Sequence, residues 1–86
     1  MYYVYILQSL KDKSLYIGYS PDLKNRLRKH NSKQVTSTKD KTPFKIIYYE
    51  ACVNMQDAKS REKYLKTGMG KRYLKNRLKR FLTLTG

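Results

Sequence analysis

The stretch Leu15–His30, LYIGYSPDLKNRLRKH, decides the fold. Leu15-Tyr16-Ile17 carries the aromatic and β-branched side chains of a strand. Gly18 closes that run with a residue that tolerates φ > 0 or close backbone approach. Ser20 then Pro21 predicts an N-cap and first helical position, because the N–H that proline lacks is one the first turn leaves unpaired anyway. Asp22 sets a negative charge where the helix dipole favours it. The spacing predicts a helix over 21–31, with Leu23 and Leu27 four apart on one face and Arg26 and His30 four apart on another. A tyrosine at a strand end therefore faces the same locale as an arginine and a histidine on consecutive turns of the next helix. That combination suits phosphate chemistry.

Upstream, Tyr2 to Gln8 alternates Tyr3, Tyr5 and Leu7 with Tyr2, Val4 and Ile6. Both faces are apolar or aromatic, which places this strand at the centre of its sheet. The polar turn Ser9–Ser14 joins it to Leu15–Gly18 as a β-hairpin. Downstream, Ser32–Thr42 is polar, Lys-rich and without periodicity, the pattern of a mobile surface loop. After Pro43 comes a third strand, FKIIYYEAC over 44–52. Asn54 caps a second helix, with Asp57 as a weak relative of the capping-box acid. On it Met55, Ala58, Glu62 and Leu65 recur every three or four residues. Gly68 and Gly70 bracket a break, Lys71 to about Leu82 reads as a third helix, and Thr83–Gly86 as a frayed tail. The order β-β-α-β-α-α over a single domain, 1–86, implies an α/β sandwich of the α+β kind: a small, mostly antiparallel three-stranded sheet flanked by three helices.

The 86 residues include 20 Lys or Arg against 6 Asp or Glu, a formal charge of +14. So large a charge on one small core speaks of partners rather than fold, and nucleic acid or an anionic membrane are the candidates. No apolar run nears the length of a membrane span, no secretion signal opens the chain, and no amphipathic helix has a clean aromatic face. The expectation is a cytoplasmic protein that does not engage membranes. One cysteine, Cys52, excludes an internal disulfide and a cysteine-based zinc site. Solvated charged faces usually mix signs, yet 61–86 holds nine Lys or Arg and the single acid Glu62. That one-signed excess favours a polyanion.

Tyr3-Val4-Tyr5 and Tyr16-Ile17-Gly18, about ten residues apart, resemble the signature of the GIY-YIG nuclease superfamily, with Tyr3 where the name has Gly. The resemblance extends to Arg26, ten residues after Tyr16, and to His30. It continues through the run Ala58–Lys66, similar to the helix bearing the family's acidic metal ligand, and to Asn76, placed like the family's late Asn. It covers nearly the whole chain, in the manner of small stand-alone members. It implies Mg²⁺- or Mn²⁺-dependent endonucleolytic hydrolysis of DNA, in repair or processing, on an α/β sandwich.

On this reading Arg26 binds the scissile phosphate, since guanidinium matches phosphate oxygens bidentately and stays charged. His30 orients water or relays a proton. Tyr5 and Tyr16 are the general bases or water-positioners, and Asn76 either supports the catalytic groups from behind or contacts substrate. Glu62 is the metal ligand at a single Mg²⁺ or Mn²⁺ site that is weak without substrate, because water and phosphate oxygens must complete the octahedron. Lys33, Lys39, Lys41, Lys71, Arg72, Lys75, Arg77, Lys79 and Arg80 supply backbone affinity that falls steeply with salt. DNA is favoured over RNA. With no base-reading helix evident, selectivity for sequence is low and targeting falls to a partner protein. The rival expectation is a non-catalytic nucleic-acid-binding module on the same scaffold.

Overall fold

In a computed structural model, residues 1–85 are described. The strands are β1 (Tyr2–Ser9), β2 (Leu15–Ser20) and β3 (Phe44–Cys52). The helices are α1 (Leu23–Asn31), α2 (Met55–Leu65), α3 (Gly68–Arg77) and α4 (Lys79–Thr85). The sheet is antiparallel throughout, ordered β2-β1-β3, so the strand with two apolar faces is central.

Alternation along β1 divides the core in two. Val4 and Ile6 pack with Ala58 and Leu65 of α2 and Leu74 of α3. Tyr5 and Leu7 pack with Phe44 on the other face, under Tyr16, Leu23 and Leu27, which brings α1 to that side. Gly70 fixes how closely α3 approaches α2. A Cβ there would overlap the Tyr64 carbonyl and the Leu65 backbone, so the second glycine lies inside α3 instead of bounding a break.

Three local expectations shift. The α1 N-cap is Asp22, whose carboxylate accepts from Asn25 N–H at 3.1 Å, and Pro21 lies outside the helix. Ser20 Oγ folds that turn, accepting from Asp22 N–H and donating to Asp22 C=O. The third predicted helix is two helices, because Leu78 leaves helical geometry at φ −109°, ψ 19°. This turn brings Leu82 to a pocket that it shares with Leu15, Ile17 and Leu74, so burial against the sheet overrides a continuous local helix. Thr83–Thr85 belong to α4, and Gly86 lies outside the described residues.

The 32–42 segment is also tied down. Lys39–Lys41 form a 3-10 turn and Thr38 is buried. Ser9 Oγ donates to Lys41 C=O at 2.6 Å, and the Asn31 amide clasps both backbone groups of Phe44, at 2.7 and 3.1 Å. At its start the chain reverses through Lys33 at φ 65°, with Lys33 N–H on His30 C=O and Gln34 N–H on Lys29 C=O, the two bonds of a Schellman cap.

Candidate active site

Gly18 and Tyr5 are paired across β1 and β2. Gly18 is buried, and a Cβ on it would overlap the Tyr5 Cζ and hydroxyl. The missing side chain lets the Tyr5 ring lie across β2, an edge strand, and carry its hydroxyl over the glycine. There it meets α1: Tyr5 Oη lies 3.0 Å from His30 Nε2 and accepts from Arg26 Nε–H at 3.4 Å. His30 Nδ1 lies 2.7 Å from Thr38 Oγ1, and Thr38 Oγ1 donates to Val35 C=O at 3.4 Å.

The ends of this chain of bonds fix its direction. Arginine only donates and a carbonyl only accepts. The run is therefore Arg26 N–H to Tyr5 O, Tyr5 O–H to His30 Nε2, His30 Nδ1–H to Thr38 O, and Thr38 O–H to Val35 C=O. The Tyr16 ring stands edge-on to His30, centroids 5.0 Å apart, and the phenol lies close enough to Arg26 to act on it electrostatically. Tyr5, Tyr16, Arg26 and His30 are thus one cluster. Thr38, which lies in the polar 32–42 segment without hydrophobic periodicity, is its fifth member.

Burial pushes the Tyr5 phenol above its ordinary value. The Arg26 bond and charge pull down against this, and the charges of Tyr16 and Glu62 add to the rise. Tyr5 is therefore protonated at rest. Burial, and then the Arg26 charge, hold His30 down to about 4, so the imidazole is neutral, as the bond pattern requires. In the unfolded chain the same imidazole titrates near 6.5. Between pH 6.5 and 4 the unfolded state binds the proton that the folded state refuses. The stability His30 contributes is complete above the upper value and is lost as pH falls through the lower, by on the order of 3 kcal/mol. The thermal midpoint of the wild type should fall more steeply across that window than that of His30→Gln. Equal slopes would show that His30 is not the source.

Glu62 lies on α2, on the other side of the sheet from α1. Its charge acts on Tyr5 and also on Tyr19, the residue after Gly18, so it bears on the β2 edge where Tyr5 crosses. It pairs with Lys66 at 3.1 Å, one turn on, and keeps 24% of its side chain exposed. Of the six acids only Glu50 and Glu62 are not exposed. Glu50 is consumed by Arg61, which chelates it at 2.9 and 3.1 Å while stacking over Tyr73 and Tyr64, and Tyr48 O–H adds a bond of 2.8 Å. This clamp joins β3 to α2. No sequence motif announced it.

Among the described residues no group of three or more His, Cys, Asp or Glu gathers as a metal cage. The single partly buried carboxylate of Glu62 fits Mg²⁺ or Mn²⁺ only in the mode where water and phosphate oxygens complete the shell. Asn76 sits apart from the tyrosine cluster in the helical layer of α2, exposed on α3 in a cleft with Met69, Arg72 and Tyr73. Lys71, Arg72, Lys75 and Arg77 are exposed on α3, and Lys79 and Arg80 on α4. Lys33, Lys39 and Lys41 are exposed on the segment after α1, where Lys41 lies 3.8 Å from Asp12. No described helix is long and apolar enough to cross a membrane.

The GIY-YIG catalytic domain model matches residues 1–78. The chain is 42% identical over 67 residues to a UPF0213 protein of Clostridium perfringens, covering 77% of this chain and 71% of that one. It is 38% identical over 81 residues to one from Pediococcus acidilactici, covering 87% and 82%. A third, from Staphylococcus saprophyticus, is 37% identical over 75 residues, covering 86% and 90%. No solved structure matches at significant similarity. The order of these residues in the sequence, the cluster of Tyr5, Tyr16, Arg26 and His30 at the β2 edge and these matches agree: the chain belongs to the GIY-YIG catalytic domain family, whose members are nucleases.

Proposed function

We propose that this chain is a divalent-metal-dependent endonuclease that hydrolyses phosphodiester bonds of DNA at the β2 edge. The observation that carries the reading is the Tyr5 hydroxyl, which crosses Gly18 to bond Arg26 at the β2 edge, the strand against which α2, bearing Glu62, packs from the opposite layer. Arg26, oriented by Tyr5, binds the scissile phosphate and offsets the charge that builds on it in the transition state. Tyr5 is a positioning residue, since its proton is committed to His30 and its oxygen to Arg26. Tyr16, half-buried against the same guanidinium, is the tyrosine that meets the attacking water. His30 is the neutral acceptor that holds Tyr5. Glu62 would hold Mg²⁺ or Mn²⁺, which supplies positive charge for phosphate and leaving oxygen. Asn76 and the lysines and arginines on α3, α4 and the 32–42 segment contact the strand away from the cut, as their exposure and the +14 charge favour. Low sequence selectivity, a cytoplasmic setting, a role in DNA repair or processing and targeting by a partner protein complete the reading.

Nicking of supercoiled plasmid with Mg²⁺ or Mn²⁺ tests it. Wild type should nick, and Glu62→Gln should nick roughly a hundredfold more slowly while binding the plasmid equally well. Unchanged nicking in Glu62→Gln would remove Glu62 from the site. Binding without nicking by the wild type would favour a non-catalytic module, in which Glu62 serves only its pair with Lys66.

A further inference from the structure

We propose that the groove beside the tyrosine cluster takes an unpaired nucleobase, so that the substrate is nucleic acid with an unstacked base next to the cut; this rests on the nuclease reading above. The groove, about 510 Å³, lies between the sheet and the start of α1, with Tyr3, Ile46 and Tyr49 on one wall and Asp22, Leu23 and Lys24 on the other. The Tyr3 and Tyr49 rings meet edge to face with centroids 6.0 Å apart, and Tyr49 is 55% exposed. Tyr49 is the β3 residue directly across from Tyr5, and Tyr3 precedes Tyr5 by one place on the same face. Opposed residues of an antiparallel pair have Cβ atoms about 5 Å apart. The Tyr5 ring leaves this wall toward β2, but Leu23 on the facing wall lies one turn before Arg26 on α1, so a nucleotide flanking a phosphate at Arg26 reaches the groove.

The wall chemistry selects a base over a phosphate. Two aromatic rings and two aliphatic side chains offer stacking area, and every base has a π-face to place on it. Asp22 repels phosphate but can accept from an exocyclic amine. Its carboxylate already takes Asn25 N–H, and an oxyanion has lone pairs to spare. Lys24 at the rim suits the adjoining phosphate. A base inside a duplex has its faces covered by its neighbours and can enter only once it is unstacked.

The test is binding, without divalent metal, of an oligonucleotide carrying one 2-aminopurine, as a single strand and as a full duplex. Wild type should quench the fluorophore in the single strand. Tyr49→Ala should abolish the quenching and weaken single-strand binding about tenfold, with duplex affinity unchanged within about twofold. Tyr49→Phe should restore both. Equal loss on single strand and duplex, or no loss on either, overturns the base site. Nicking with Mg²⁺ or Mn²⁺ separates the two readings. Discrimination by Tyr49 without any cutting overturns the nuclease and leaves the base site, whereas cutting that ignores Tyr49, with no single-strand quenching, overturns the base site alone.

Discussion

Arg26→Ala should lower the rate of strand scission on the order of a thousandfold while changing DNA affinity no more than about threefold. Affinity survives because exposed basic residues on three other segments still neutralise phosphates. The rate does not, because the guanidinium is held by Tyr5 before substrate arrives, and prepaid orientation is what makes one cation effective at a transition state. Arg26→Lys should recover little. An ammonium keeps the charge but has neither the Nε–H that bonds Tyr5 nor the planar fork that meets two phosphate oxygens. Single-turnover nicking beside equilibrium binding separates the two effects. Scission by Arg26→Ala within tenfold of wild type would take Arg26 out of the reaction.

Gly18→Ala carries the second large effect, and it touches no reacting group. The new methyl would occupy the space of the Tyr5 Cζ and hydroxyl. The ring must move, breaking the bonds to His30 and Arg26 together. Overpacking of a filled core costs about 1–3 kcal/mol, so the melting temperature should fall. Cleavage should drop roughly a hundredfold as Arg26 loses its orientation. Adding Tyr5→Leu to Gly18→Ala removes the ring that clashes. This double variant should regain most of the lost stability and none of the activity. A Gly18→Ala protein that melts and cuts like wild type would show that the glycine does not place the hydroxyl.

Much of this was legible in the sequence, for identifiable reasons. The double apolar face of β1 declared a central strand, FKIIYYEAC declared β3 to the residue, and Asn54 declared the start of α2, where its side chain accepts from Gln56 and Asp57 N–H. These are local signals with one physical reading each. Other features had none. Leu78 is neither Gly nor Pro, and its departure from the helix follows from where Leu82 finds apolar surface. Ser20 and Asp22 are both good caps two residues apart, and only the hydrogen bonds choose between them. Thr38 sits among polar residues that resemble it, so nothing marked it as the partner of His30. The spacing brought Arg26 and His30 to one face, but that Tyr5 would reach both over Gly18 is a relation across strands. The Glu50–Arg61 clamp is likewise a match between segments 11 residues apart that no periodicity encodes.

The alternation along β1 carries an implication for making variants. Val4 and Ile6 belong to one core and Tyr5 and Leu7 to the other. Sliding the strand by a single position exchanges the two sets, since side chains change face at every residue. A mispaired molecule would then present valine where the phenol should be, and be inert even if compact. Turnover thus doubles as a readout of strand alignment, and a library screened for cutting would discard misthreaded members that solubility or helical content would pass.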